Sequence, residues 1–197
     1  MTKRLFDLLF SAFFLVLLLP LLVVIALWVS LDSPGGAFFR QVRVGKNQVP
    51  FRLLKFRTMK PLSEAAGQIT VGVADSRVTA CGRILRKYKL DELPQLLNIL
   101  AGDMSVVGPR PEVPKYVNMY NEQQLRVFEV KPGLTDYASL EYFSENELLA
   151  QSLDPEATYI NEIMPAKLSL NLRYIREQNM ATDLKIIWRT VQAIFRA

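Results

Sequence analysis

The chain has 197 residues, half of them hydrophobic and 22% charged, with a formal net charge of +5. That length allows one domain with a real core plus an attachment, and that balance is globular and not disordered. One cysteine and no histidine exclude a disulfide framework, a Cys/His zinc site and any mechanism that needs an imidazole base. The excess of positive charge favours an anionic partner, whether nucleic acid, anionic lipid or a phosphorylated small molecule.

From Leu5 to Leu31 the chain carries a single charge, Asp7. As a helix this run would reach about 40 Å against a bilayer core of about 30 Å, so membrane attachment is expected. A secretory signal peptide is a poor fit, because the apolar run is too long and no small-residue cleavage site follows it. Basic groups flank both ends: the Met1 amine, Lys3 and Arg4 before it, then Arg40, Arg43 and Lys46 after it. The positive-inside rule places both flanks in the cytoplasm, which a helix that enters and leaves by one face satisfies and a straight span does not. Pro20 predicts a kink near the middle. An ordinary single-pass anchor with a tolerated proline is the alternative. The breaker cluster Asp32 to Ala37 ends the segment, giving a membrane helix over 1–35 and a catalytic domain on the cytoplasmic face over 36–197.

Between Ser33 and Ser63 there is no acidic residue, while Arg40, Arg43, Lys46, Arg52, Lys55, Arg57 and Lys60 all fall there. Such a stretch beside a membrane segment suits an anionic leaflet or phosphates. Two β-rich runs separated by Gly45-Lys46-Asn47 predict a hairpin. Lys55 and Arg57, two apart, would share a strand face; a solvated basic edge strand has the same pattern.

"GRILRKYK" reads as a helix, and so does "LPQLLNIL", with Leu93, Leu96, Leu97 and Leu100 at helical spacing and Gly102 as a stop. Asp91 and Glu92 then sit at that helix's N-terminus, ahead of Pro94. The structural reading is capping, since free N–H groups and the helix dipole favour carboxylates there. The chemical reading uses the same physics: an ionised carboxylate can attack phosphorus, and its neighbour can hold a divalent cation. Arg110, bracketed by Pro109 and Pro111, is offered from a stiff loop that suits bidentate phosphate recognition, or is a solvated turn residue.

Near the C-terminus, Thr182-Asp183 predicts a helix start. Leu184, Ile187, Trp188, Val191, Ile194 and Phe195 then fall on one face, with Lys185, Arg189 and Arg196 largely off it. Such a helix lies in a membrane interface or packs its stripe into the core.

"QVRVGK", "LLKFRTM", "LRKYKLDELPQLLNILAGDMSVVGPRP" and "VKPGLT" occur here in the order seen in bacterial sugar transferases. The chain resembles the small, single-domain monotopic phosphoglycosyl transferases, from the membrane segment to about Thr135. The resemblance implies transfer of a phospho-sugar from a UDP-sugar to polyprenyl (undecaprenyl) phosphate, with release of UMP and a covalent intermediate, to start a cell-surface glycan. It places Asp91 on the nucleophile and Glu92 on its partner, both associated with Mg²⁺. Arg110 falls on the arginine of the family's Pro-Arg-Pro motif, and Lys55, Arg57, Arg86 and Arg43 on basic positions around the phosphates. It further implies a re-entrant first helix, an interfacial C-terminal helix, and a setting on the cytoplasmic face of the bacterial inner membrane, with no nucleic acid involved. Two departures stand out: Leu19 precedes Pro20 where many members have serine, and the chain after Thr135 leaves the common pattern, on the donor side of the site.

The expected architecture is therefore mixed α/β and mostly helical, with a membrane helix, interfacial helices and a small hairpin or sheet. No glycine-rich strand-to-helix turn of a Rossmann type is present. The rival from another class is a membrane-anchored binding protein for anionic lipid or nucleic acid, with salt-sensitive binding and no turnover.

Overall fold

The computed structural model describes residues 2–61, 63, 69–72 and 75–196; the Met1 amine counted among the flanking charges lies outside them. Helix α1 runs from Thr2 to Asp32 and is long and apolar enough to cross a membrane. It is helical on both sides of Pro20, because each half has its own surface to pack on. Phe6, Phe10, Phe14 and Leu15 join a core cluster with Leu53, Ile99, Val106 and Tyr174. Leu22, Ile25, Ala26 and Val29 join a second with Phe56, Cys81 and Leu85. Between and around these contacts Phe13, Val16, Leu17, Leu19, Val23 and Val24 are exposed.

Polar contacts pin both ends of α1. Asp7, the lone charge of the apolar run, is buried and accepts hydrogen bonds from Ser105 Oγ and the Val106 amide, both at 3.0 Å. Arg4 donates to the carbonyls of Ile99 and Leu100 at 2.6 and 3.1 Å. Lys3 pairs with Asp183. At the other end the Cys81 amide donates to Asp32 at 3.2 Å.

The predicted hairpin forms from β1 (Phe38–Val44) and β2 (Pro50–Phe56), antiparallel, with Phe38 opposite Phe56 and Val44 opposite Pro50. Its turn is a 3₁₀ segment, Lys46–Gln48. Helix α2 (Ala80–Lys87) follows, capped by Thr79, whose side chain accepts from the Gly82 amide. A Cβ on Gly82 would run into the Thr58 backbone, so glycine is what lets α2 lie against the end of β2. The next helix, α3 (Gln95–Ala101), ends at Gly102, whose φ of 97° is the left-handed cap expected of it.

A second strand pair has no clear period in the sequence. Strands β3 (Ser105–Val107) and β4 (Gly133–Thr135) run parallel, and the chain crosses itself just beyond, at Gly108 and Gly133. A Cβ on Gly133 would overlap the Gly108 backbone, and one on Gly108 would overlap the Lys131 carbonyl.

The remaining helices are α4 (Pro114–Val117), α5 (Glu122–Leu125), α6 (Tyr137–Glu141), α7 (Glu145–Ala150), α8 (Pro155–Thr158), α9 (Met164–Glu177) and α10 (Met180–Arg196). A π-helical turn, Tyr159–Ile163, joins α8 to α9. The architecture is thus mostly helical with two small strand pairs, as expected. Helix α10 starts earlier than Thr182-Asp183 suggests: Asn179 accepts from the Thr182 amide at 3.0 Å and so caps it. Asp183 instead turns inward, buried, to accept from the Tyr174 hydroxyl at 2.7 Å. Along α10, Ile186 is fully buried, while Leu184, Trp188, Val191 and Phe195 stay exposed. The two readings of this helix therefore divide between neighbouring faces.

Candidate active site

Asp91 and Glu92 do not cap a helix. They lie in a 3₁₀ turn, Leu90–Glu92, entered through Lys89 in a left-handed conformation (φ 56°, ψ 20°), and no side-chain cap forms at this turn or at α3. Both carboxylates are buried, at 6% and 8% exposure, which makes their partners decisive.

Glu92 is saturated. Its Oε1 accepts from Lys55 Nζ at 2.9 Å and from Arg110 Nη2, and its Oε2 accepts from Arg110 Nη1 at 3.3 Å. Burial works to raise its pKa, but Arg110 and Lys55 outweigh it and hold the carboxyl well below the usual carboxylate range. Glu92 in turn pushes the Arg110 guanidinium further up. Asp91 is the contrast. Among the described residues no hydrogen bond ends on its carboxylate, and burial raises its pKa against the pull of Lys55. A buried carboxylate with its oxygens unshared and its basicity raised is a better nucleophile than its saturated neighbour.

Each cation is brought here by a different element. Lys55 comes from β2. Arg110 comes from the loop after β3, whose position is locked by the Gly108–Gly133 crossing and by its own amide donating to Asp136 Oδ2 at 3.1 Å. Arg86, on α2, donates to Thr58 Oγ1 at 2.8 Å and Thr70 Oγ1 at 3.0 Å. Arg43, on β1, donates to Gln41 Oε1, the Pro111 carbonyl and Glu112 Oε1 at 2.6 to 3.2 Å. Arg57 does not share a strand face with Lys55: β2 ends at Phe56, and the Arg57 guanidinium donates to the Ser33 carbonyl beyond α1. Its Nε and Nη1 are buried without a partner among the described residues.

All seven expected residues line one cavity of about 850 Å³. Part of its wall is apolar: Phe10, Phe14 and Leu18 from α1, with Ile187, Val191 and Ile194 from α10. Another part is polar and aromatic: Tyr142, Phe143, Glu145, Asn146 and Lys167. The cavity thus offers a cationic centre between a greasy wall and a wet one.

Sequence reasoning missed several groups. Glu112 holds Arg43 and accepts from the Tyr159 hydroxyl; its place directly after Pro-Arg-Pro was the available signal. Asp136, fully buried, fixes Arg110 and caps α6 through the Ser139 amide. Lys89 stands two residues before Asp91. Thr58 lies in the quoted LLKFRTM motif and Thr70 in none, and only the fold brings the two to Arg86.

Comparison with known proteins gives the family. A family model described as bacterial sugar transferase matches residues 1–197. A UDP-glucose:undecaprenyl-phosphate glucose-1-phosphate transferase of Caulobacter vibrioides is 37% identical over 195 residues, 98% of this chain and 69% of that protein. One of the same description from Escherichia coli is 37% identical over 197 residues, 96% of this chain and 39% of its own length. A UDP-N-acetylgalactosamine-undecaprenyl-phosphate N-acetylgalactosaminephosphotransferase of Aeromonas hydrophila is 33% identical over 195 residues, 98% of this chain and 43% of its own length. The chain therefore spans less than half of the latter two. Matched along its whole length by the family model, the chain belongs to the bacterial sugar transferase family.

Proposed function

We propose that this chain moves a phospho-sugar from a UDP-sugar to undecaprenyl or a related polyprenyl phosphate, releasing UMP and initiating a cell-surface glycan. The observation that carries the reading is the asymmetric carboxylate pair, Glu92 saturated by two cations and Asp91 open, inside a cavity with one apolar and one polar wall. The relatives' names supply the substrate class, and they differ in the sugar.

In this reading an Asp91 oxygen attacks the sugar-linked phosphorus and UMP leaves. The polyprenyl phosphate then attacks the aspartyl-phosphosugar, giving the polyprenyl diphosphosugar and freeing Asp91. Arg110 and Lys55 offset charge on the transferring group, and Glu92 keeps these two cations in place. Arg43 and Arg86 add positive potential to the diphosphate site.

Mg²⁺ fits the donor set. Among the described residues no group of three or more acidic, histidine or cysteine side chains gathers, and Mg²⁺ prefers one or two carboxylates together with substrate phosphates and water. Asp91, whose oxygens are unshared, would hold it together with Glu92 through Oε2, which among the described residues has only the 3.3 Å Arg110 contact, and it would supply further neutralisation of phosphate charge.

The same surfaces support a membrane setting. Both halves of α1 pack on one domain, which supports a helix that enters and leaves by a single face, with 1–35 inserted and 36–197 on the cytoplasmic side of the inner membrane. Exposed Leu184, Trp188 and Phe195 on α10 suit the lipid interface. The test is UMP release by purified protein in detergent or nanodiscs, with Mg²⁺, undecaprenyl phosphate and a panel of UDP-sugars, beside Asp91→Asn. Release by wild type alone is expected; full activity of folded Asp91→Asn overturns the nucleophile assignment.

A further inference from the structure

The cations that touch or face the carboxylate pair mostly end on oxygen: Lys55 and Arg110 on Glu92, Arg43 on Glu112 and Gln41, Arg86 on two threonines. Lys89 is different. Among the described residues its ammonium makes no ion pair and no hydrogen bond, and it lies over the Phe143 ring, 4.9 Å from the centroid. It lines the same cavity, in electrostatic reach of Glu92, Asp91 and Glu145. Burial lowers its pKa, with Glu92 opposing.

The backbone makes the placement deliberate. At φ 56° Lys89 is in a region that side-chain-bearing residues seldom adopt. The turn is held by its amide donating to Arg86 and its carbonyl accepting from Glu92, each at 3.2 Å. Strain of this kind persists at functional sites, where the surroundings over-determine it. Phe143 stands between α6 and α7, beside the polar wall formed by Tyr142, Glu145 and Asn146. A water-soluble nucleotide suits that wall, whereas a polyprenyl chain suits the apolar wall of α1 and α10.

We propose that Lys89, parked on the Phe143 ring, receives the phosphate of the departing nucleotide in the first half-reaction. This rests on the transferase reading above. As an Asp91 oxygen bonds to the sugar-linked phosphorus, the bond from that phosphorus to the bridging oxygen breaks. The electron pair stays on that oxygen, which leaves as part of UMP. Negative charge grows there, and Lys89 can donate a hydrogen bond to it without breaking an existing ion pair and without giving up its proton. An aromatic face holds an ammonium weakly enough to release it to a phosphate.

The experiment compares wild type with Lys89→Gly, Lys89→Arg and Phe143→Leu. Glycine accepts the left-handed backbone, so the charge is deleted without adding strain, and Lys89→Arg keeps both the backbone strain and the charge. Thermal unfolding first establishes that each variant is folded. Calorimetric titration with UMP and steady-state kinetics in both substrates are then measured. Losing one charge-assisted hydrogen bond corresponds to about a 10- to 100-fold effect. Lys89→Gly is expected to weaken UMP binding and kcat/KM for the UDP-sugar by that factor, with KM for polyprenyl phosphate unchanged. Lys89→Arg should recover most of the loss, and Phe143→Leu should show a smaller loss of the same kind. Unchanged UMP affinity in Lys89→Gly, or a defect confined to the polyprenyl phosphate, overturns the proposal. Because UMP binding is read without turnover, absence of transfer by wild type would count against the transferase reading and leave the Lys89 assignment separately decided.

Discussion

Replacing Glu92 by glutamine removes one charge while keeping shape. In the structure Glu92 accepts from Lys55 at 2.9 Å and from two Arg110 nitrogens. The side chains are 11%, 18% and 30% exposed for Glu92, Lys55 and Arg110, so water screens the cluster only in part. Glutamine retains one acceptor oxygen but turns an NH₂ group towards a donor. Breaking a buried pair by removing one partner costs about 3–5 kcal/mol. The retained acceptor and the nearby Asp91 carboxylate, which can serve as a substitute counter-ion, reduce this to about 2–3 kcal/mol. For a chain of this size that lowers Tm by about 4–12 °C. Asp91 suffers a second effect. Without its negative neighbour, and with Lys55 and Arg110 drawn to it, its carboxylate becomes less basic and less free, so turnover should fall by about 100-fold or more. The assay is calorimetric unfolding in one detergent, together with UMP release. A Glu92→Gln protein within about 1 °C of wild type and within about threefold of its rate would refute the view that Glu92 organises this centre.

Gly82→Ala places a methyl group against the Thr58 backbone and should cost about 1–3 kcal/mol; Arg86 moves with α2, so donor affinity should fall too, and unchanged stability would contradict the tight contact. Asp7→Ala strands Ser105 Oγ and the Val106 amide at a cost of about 1–3 kcal/mol, seen as faster proteolysis of the α1 junction; wild-type resistance would mean that α1 is anchored by its apolar face alone. Cys81 is 1% exposed, and burial pushes its thiol up to about 11. Alkylation of the native protein at pH 8 should therefore be slow, and unfolding should make it fast; rapid native alkylation would refute this environment. Trp188→Asp with Phe195→Asp, at positions 63% and 86% exposed, should ease extraction from vesicles without lowering stability, and unaltered extraction would argue against an interfacial α10.

Membrane association and most of the parts were readable along the chain. A long apolar run with basic flanks, the β hairpin around Gly45, the α3 helix stopped at Gly102, and the motif carrying Asp91, Glu92 and Arg110 were all legible, because each depends on local periodicity or on a contiguous pattern. The partners were not. That Glu92 and not Asp91 takes Arg110 and Lys55, that Arg57 turns away to Ser33, and that Glu112, Asp136 and Lys89 belong to the site are decided by elements far apart in the chain. The β3–β4 pair was hidden for the same reason: its three-residue strands carry no readable period, and its closeness depends on two glycines 25 positions apart, Gly108 and Gly133, crossing without side chains. Local pattern can specify which residues are charged or apolar; only the packed chain decides which buried carboxylate is neutralised by cations and which keeps its oxygens unshared.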